Sequence, residues 1–236
     1  ELLNKNKNNI EEVIITASGG PFLNLPYKNF KKIKPKNAIK HPNWKMGSKI
    51  SVDSATLMNK VFEVIEAQRI FNIDINKFKI YIHPKSYVHA VIKFNNGLTK
   101  ILVHDTSMTI PIFNIIYDKT DKSIITKKID FSIINNLNFQ EPNKIKFPSL
   151  KLLNKFSSKI SLYDTVLVAA NDELVYLFLK GQIKFTEISI ILKKILELKE
   201  FSKYKQIIPA NYDQIYKLSR YVRLKTFSLS VLSQKC

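Results

Sequence analysis

The residues best suited to chemistry lie between His41 and Glu66, in HPNWKMGSKISVDSATLMNKVFEVIE. This stretch holds the only Trp of the chain, an adjacent Asn59 and Lys60, and, on the same predicted helix, two carboxylates, Glu63 and Glu66. On a helical wheel turning about 100° per residue, Asn59, Glu63 and Glu66 fall within about 60° of one another, and Lys60 lies about 60° beyond Glu63. Leu57, Met58, Val61, Phe62, Val64 and Ile65 take the opposite half. One face is therefore apolar, and the other offers an amide, an ammonium and two carboxylates. Such a hand suits a small phosphorylated, metal-chelating molecule. An ordinary amphipathic surface helix presents the same pattern. Ser54 falls across the wheel from this face and joins it only if the first turn is irregular; a capping role is the alternative.

The elements that must position these groups follow from pattern. Glu12 to Thr16 (EVIIT) reads as a buried strand that stops at Ala17-Ser18-Gly19-Gly20-Pro21. The paired glycines let the backbone turn tightly and present N–H groups to an oxyanion; a plain turn is the alternative. HPNWKMG, with Pro42 and Gly47 and no periodicity, reads as a loop. Its Trp44 is either a lid over a ligand or an anchor into the core. Ser51 to Ser54 offers N-cap candidates for one long helix running to about Phe71. Phe78–Ile82, Tyr87–Phe94 and Leu98–Val103 read as strands, the last two joined by the hairpin signal Asn95-Asn96-Gly97. A helix is expected from near Pro111 to Ile116. After Pro148 the pattern becomes helical throughout, with helices over Leu150–Ser157, Leu162–Lys180, Ile183–Leu198 and about Pro209–Leu232. Their short turns suggest a bundle. The fold class is α+β: a small mixed or antiparallel sheet covered by helices over 1–117, a linker over 118–147, and a four-helix bundle over 148–236. His83, His89 and His104 sit in or beside strands without a metal-ligand spacing. Asn171-Asp172-Glu173 lies inside a helix beside Ala169-Ala170, where close packing obliges a polar group to find a partner.

Of the 236 residues 45% are hydrophobic, enough for a globular core, and no apolar run reaches the roughly 18 residues that span a bilayer. The single Cys236 excludes an intrachain disulfide and a Cys-based zinc cage. The net charge of +19 points to polyanions, but only three of the 38 basic residues are Arg: Arg69, Arg220 and Arg223. Nucleic-acid readers favour Arg for its bidentate geometry, so the spread lysines read as solvated surface. A basic RNA-binding module is kept as the alternative to an enzyme. The opening ELLNKNKNNIEE has no signal-peptide or transit character, and a start at Glu1 suggests a break in a longer chain, with a processed terminus as the alternative.

TASGGPF, HPNWKMGSKISVDSATLMNK, IHPKSYVH and AANDE, in that order, resemble the 1-deoxy-D-xylulose 5-phosphate reductoisomerase family. The resemblance covers about residues 12–190. It implies a catalytic domain followed by a C-terminal four-helix bundle, with the family's N-terminal NADPH domain and its Asp-x-Glu metal segment upstream of this sequence. It implies conversion of 1-deoxy-D-xylulose 5-phosphate to 2-C-methyl-D-erythritol 4-phosphate, with NADPH and a divalent metal (Mn2+, Mg2+ or Co2+). By motif, Ser18, His41, Ser54, Asn59, Lys60 and Glu63 would meet the sugar-phosphate substrate, with Lys60 and Glu63 catalytic and Glu63 the retained metal ligand. Trp44 and Met46 would form the lid. Gly47 and Met108 would lie near the nicotinamide, and His89 near the site. The resemblance also implies a homodimer and leaves a bacterial cytoplasm or a plastid-type organelle as the compartment; from the composition, no nucleic-acid or membrane partner is expected. This chain alone is expected to be inactive. HDTSMTIP keeps Met108 and Pro111 but lacks the family's Pro-Asp-Met-Arg, and Val61 stands where Gly is usual after MNK.

Overall fold

The computed structural model describes residues 9–41, 46–117 and 121–232. In chain order the elements are β1 (Ile10–Ala17), α1 (Pro35–Ala38), α2 (Ser48–Thr56), α3 (Met58–Phe71), β2 (Phe78–Ile82), β3 (Val88–Phe94) and β4 (Thr99–Val103). There follow α4 (Thr109–Ile116), α5 (Phe131–Ile134), α6 (Tyr163–Leu179), α7 (Phe185–Glu197), α8 (Lys199–Ser202) and α9 (Tyr212–Leu232). The elements form two compact units, interleaved in sequence. The described parts of one are 9–19, 76–117 and 121–142; those of the other are 20–41, 46–75 and 143–232.

The first unit is built on a four-stranded sheet of order β2-β1-β3-β4. β1 pairs parallel with β2, Val13 opposite Phe78 and Ala17 opposite Ile82, and antiparallel with β3. The sheet is therefore mixed, and the fold is α+β as the sequence pattern implies. A parallel pair needs a long crossover, and here it takes up everything between Ser18 and Asn76, including α2 and α3. β3 and β4 form the expected hairpin. Gly97 sits at φ 83°, the left-handed backbone its turn requires, and its N–H donates to Phe94 O at 2.9 Å. Thr16 Oγ1 donates to Val88 O, tying β1 to the start of β3. Within 118–147, expected as linker, α5 is capped by Asp130, and Gln140 bridges to Ile82.

The second unit is helical. α6 is buried on most of its circumference, including Val166, Leu167, Ala170, Leu174 and Phe178, and is its central helix. α7 buries Phe185, Ile188, Ile191, Leu192 and Ile195 at helical spacing. Phe22, Phe30 and Phe178 surround Phe185, with Phe22 edge-on to it at 5.2 Å between centroids, and Phe147 packs on Phe30. Such edge contacts place the positive ring rim on a negative face. The first helix expected in the bundle is instead a 3-10 helix, Pro148–Lys155, closed by Phe156 N–H donating to Leu153 O at 3.1 Å. Arg69, near the end of α3, holds Asp164 of α6 through Nε and Nη2 at 2.9–3.1 Å.

The long helix expected to start at Ser51–Ser54 differs from that reading in two ways. It begins earlier, at Ser48, and it breaks at Leu57, whose φ is 58°. Ser51, Asp53 and Ser54 are thus buried within α2 and are not caps. Thr56 supplies the local cause. Its hydroxyl donates back to the carbonyls of Val52 at 3.2 Å and Asp53 at 3.1 Å, and it lies 3.4 Å from Met58 N. Leu57 N–H then donates to Ser54 O at 3.2 Å, and Lys60 N–H returns to Leu57 O. A left-handed Leu costs about 1–2 kcal/mol, so the surroundings must impose it; its buried side chain is the anchor.

Candidate active site

The break at Leu57 starts a new helix, and it puts Asn59 and Lys60 in that helix's first turn. The N-terminal amides and dipole of α3 favour an anion there. A lysine in a first turn runs against the dipole, so helix stability does not account for Lys60. Its ammonium is half-buried at 16% side-chain exposure and is held by Glu63, one turn on, at 2.9 Å to Oε1 and 2.8 Å to Oε2. Asn59 Oδ1 is buried and accepts no hydrogen bond among the described residues. A buried acceptor without a donor is destabilising by about 1–3 kcal/mol unless a ligand supplies the hydrogen. Met58, Val61, Val64 and Ile65 form the opposite, buried face of α3, as the wheel requires. Glu66 is exposed to solvent.

His41 is close enough to Lys60 to feel its charge. Burial first, and then the Lys60 ammonium, lower the His41 pKa below its ordinary value. The imidazole is therefore neutral at pH 7 and able both to donate and to accept. The structure brings together His41, Lys60 and Glu63, with Asn59 beside Lys60. Met46 is half-buried, and Gly47 is the exposed N-cap of α2. Trp44 lies outside the described residues. Ser54 is buried in α2, and its carbonyl is met by the turn that follows β1. Gly20 has φ +65°, and a Cβ there would stand 2.7 Å from Ser54 O and 3.2 Å from Ala55 Cα. The second glycine of Ser-Gly-Gly is thus required by close approach to α2.

In the sheet unit, Ser18 follows β1 and is half-buried, and Met108 is the N-cap of α4 at 57% exposure. His89 stacks on His104 with ring centroids 3.6 Å apart, and its Nε2 faces His104 O at 3.1 Å. That engagement accounts for His89 as a packed residue of the β3–β4 hairpin. Among the described residues no group of three or more His, Cys, Asp or Glu side chains is placed to hold a metal ion. Glu63 offers one carboxylate, paired with Lys60, whereas Mg2+ takes about six oxygen ligands. The described residues do not form a metal centre by themselves.

One group was not singled out from the sequence as part of the site. Asp53 of α2 is fully buried; its Oδ1 accepts from Asn171 Nδ2 of α6 at 2.8 Å, and its Oδ2 meets Lys49 Nζ at 2.8 Å. Lys49 also reaches Asp172 Oδ1 at 3.0 Å, and Asp172 Oδ2 takes Arg223 of α9 at 2.8 Å. Burial pushes the Asp53 carboxyl above its ordinary range against the pull of Lys49 and Asn171. Burial works to lower Lys49, and its two carboxylates more than offset that, so its pKa is raised. The signal in the sequence was Asn171-Asp172, polar residues on a close-packed helix and in need of a partner.

Comparison with known proteins gives this geometry a lineage. Residues 1–71 match the family model for the 1-deoxy-D-xylulose 5-phosphate reductoisomerase C-terminal domain, and residues 104–225 match that for the DXP reductoisomerase C-terminal domain. The chain is 56% identical over 228 residues to the 1-deoxy-D-xylulose 5-phosphate reductoisomerase of Pelagibacter ubique, covering 97% of this chain and 59% of the relative. It is 42% identical over 202 residues to that of Persephonella marina, covering 86% of this chain and 54% of the relative. A solved DOX-P reductoisomerase in complex with NADPH, fosmidomycin and magnesium superposes with a TM-score of 0.86 at 31% identity, over 96% of this chain and 56% of that one. The Zymomonas mobilis enzyme in complex with NADPH gives 0.82 at 28% identity, over 95% and 57%. This sequence thus spans less than two thirds of each of these proteins. With such identity across nearly its whole length, the chain belongs to the 1-deoxy-D-xylulose 5-phosphate reductoisomerase family.

Proposed function

We propose that the full-length protein is an NADPH- and divalent-metal-dependent reductoisomerase that converts 1-deoxy-D-xylulose 5-phosphate to 2-C-methyl-D-erythritol 4-phosphate. The observation that carries this reading is the first turn of α3. There a buried Asn59 acceptor, a Lys60 ammonium held by Glu63 and a neutral His41 meet in a chain of this family. Lys60 neutralises negative charge that develops on a substrate oxygen, moving off Glu63 as the ligand enters. Asn59 Oδ1 accepts from a substrate hydroxyl, and His41 exchanges a hydrogen bond with another. The family motif adds Ser18 and Ser54 as residues we assign to substrate binding. By the family motif alone, we assign Trp44 and Met46 to a lid and Gly47 and Met108 to the nicotinamide side. Glu63 is one ligand of a metal whose other ligands come from outside the described residues.

The sheet supports a homodimer. β4 is an edge strand, and its Ile101 and Val103 are exposed. An apolar edge of this kind is ordinarily covered or paired, and we take the same strand of a second copy as its occupant. No described helix is long and apolar enough to cross a membrane, and the compartment we assign is the bacterial cytoplasm. The polyanion-binding alternative gains nothing from the relatives reported above. Lys60→Ala in the full-length protein should lower kcat with deoxyxylulose phosphate by about 100-fold or more, the scale set by removal of a charge-stabilising donor. Unchanged steady-state kinetics would remove the assignment of this helix face. The 236-residue chain by itself should not oxidise NADPH in the presence of the substrate; turnover by it would overturn the view that Glu63 needs ligands from elsewhere.

A further inference from the structure

We infer that Asn171 is a positioning residue for this site, acting through Asp53 on the first turn of α3; the inference rests on the proposed reductoisomerase function. Asp53 and Asn171 are 118 residues apart in sequence, both are at 0% exposure, and their 2.8 Å hydrogen bond joins α2 to α6. Neither residue belongs to the set that meets substrate. Their place in the fold gives them another role.

α2 has nine residues and no side-chain N-cap. A helix that short does not hold its own position in water. Its end nevertheless decides where Leu57 turns, and hence where Asn59 and Lys60 begin α3. Asp53 lies four residues before Leu57, and its carbonyl accepts the Thr56 hydroxyl that shapes the break. Its side chain is fixed from two sides, by Asn171 Nδ2 and by Lys49 Nζ. Lys49 is in turn held by Asp172, and Asp172 by Arg223. The chain of contacts therefore runs from α9 and α6 through Asp53 to the break. A partner of some kind would suffice for stability alone. An amide that donates to one carboxylate oxygen, leaving the other for Lys49, fixes the carboxylate's orientation as well. Misplacement of reacting groups by about 1 Å can cost about 100-fold in rate, so the consequence at Lys60 is measurable.

The test is a double-mutant cycle in the full-length gene product, comparing Asn171→Ala, Lys60→Ala and the double variant, with kcat and KM referred to folded protein by near-UV circular dichroism. Asn171→Ala should lower kcat by about 10-fold or more. In the Lys60→Ala background the same substitution should lower it by less than about threefold, because the group it positions is gone. An unchanged kcat in folded Asn171→Ala, or a loss of equal size in both backgrounds, would overturn the positioning role and leave the proposed function standing. If Lys60→Ala itself left kcat unchanged, the proposed function would fail first. Should Asn171→Ala not fold, Asp53→Asn enters the same cycle under the same criteria. It keeps the volume but removes the carboxylate that Asn171 orients and Lys49 pairs with.

Discussion

Gly20→Ala separates steric from conformational cost, because the helical unit contains its own control. Gly20 and Gly181 both sit in the left-handed region, at φ 65° and 74°. A Cβ at Gly181 meets nothing within 4 Å, whereas one at Gly20 stands 2.7 Å from the backbone oxygen of Ser54. At each site alanine costs about 1–2 kcal/mol for the backbone conformation. Against this, it gains about 0.4–1 kcal/mol by restricting the unfolded chain. These terms cancel in the comparison. What remains is overpacking against a main chain that cannot rotate away, about 1–3 kcal/mol. Gly20→Ala should therefore be less stable than Gly181→Ala by that amount, about 2–4 °C in Tm per kcal/mol for a unit of this size. Thermal unfolding by circular dichroism reads the difference. Hydrogen exchange shows its location, since the amides of α2 and the first turn of α3 should lose protection in Gly20→Ala and keep it in Gly181→Ala. Equal Tm values, or a loss of protection confined to the turn itself, would refute the claim that Gly20 is required by contact with α2.

The His41 imidazole should titrate below about 6.5 by NMR. In Lys60→Ala its midpoint should rise only part of the way back, because burial is the larger cause and Lys60 the smaller. The folded pKa is depressed for a group that charges on protonation, so the unfolded chain takes the proton first. The His41 contribution is therefore intact above about pH 6.5 and is lost as pH falls from there towards the folded pKa. Tyr163 donates to Leu196 O at 2.6 Å in the core of the helical unit. Tyr163→Phe should destabilise that unit by about 1–2 kcal/mol by leaving a buried carbonyl unmatched. Burial first, and then Glu197, push the Tyr163 hydroxyl up to about 12. An ultraviolet titration should accordingly show no Tyr163 phenolate below pH 11.

Local pattern and long-range contact divide what could be read from sequence. β2 ends where the apolar run ends, at His83, and the β3–β4 hairpin turns at Asn95-Asn96-Gly97, because a strand's period and a glycine's permitted φ are local properties. The apolar face of α3 was legible for the same reason. The break at Leu57 was not, since Thr56-Leu57-Met58 contains no Gly, Pro or Asn to announce it. A left-handed Leu is chosen by the pocket that buries its side chain, which is a tertiary fact. The need for Gly20 depends on a helix some 34 residues further on. The interleaving of the two units has the same origin: 20–41 and 46–75 cluster with 143–232 through contacts such as Asp53–Asn171 and Arg69–Asp164. The expected boundary near residue 148 marks a change of pattern along the chain, whereas the units are defined by contacts across it. Asn171 announced that it needed a partner, and nothing local identified that partner as Asp53.

Two constraints from different parts of the helical unit converge on adjacent residues of α2. Gly20 presses its backbone on Ser54 and Ala55, and Asn171 fixes the side chain of Asp53. One contact is on the backbone of Ser54 and Ala55 and the other on the Asp53 side chain, so the two act at different points of the same turn. A helix held at one point can relax away from a perturbation at a neighbouring point only if the first contact yields. Gly20→Ala pushes α2 at Ser54, and with Asn171 present that displacement strains the Asp53 hydrogen bond. Once Asn171→Ala has removed the bond, α2 can move and the added methyl costs less. The two substitutions should therefore be sub-additive, with a coupling of about 0.5–3 kcal/mol, the range for residues sharing a backbone shift. Strict additivity in Tm-derived stabilities would mean that α2 is rigid independently of α6. In that case the placement of Lys60 would have to come from Leu57 and Thr56 alone.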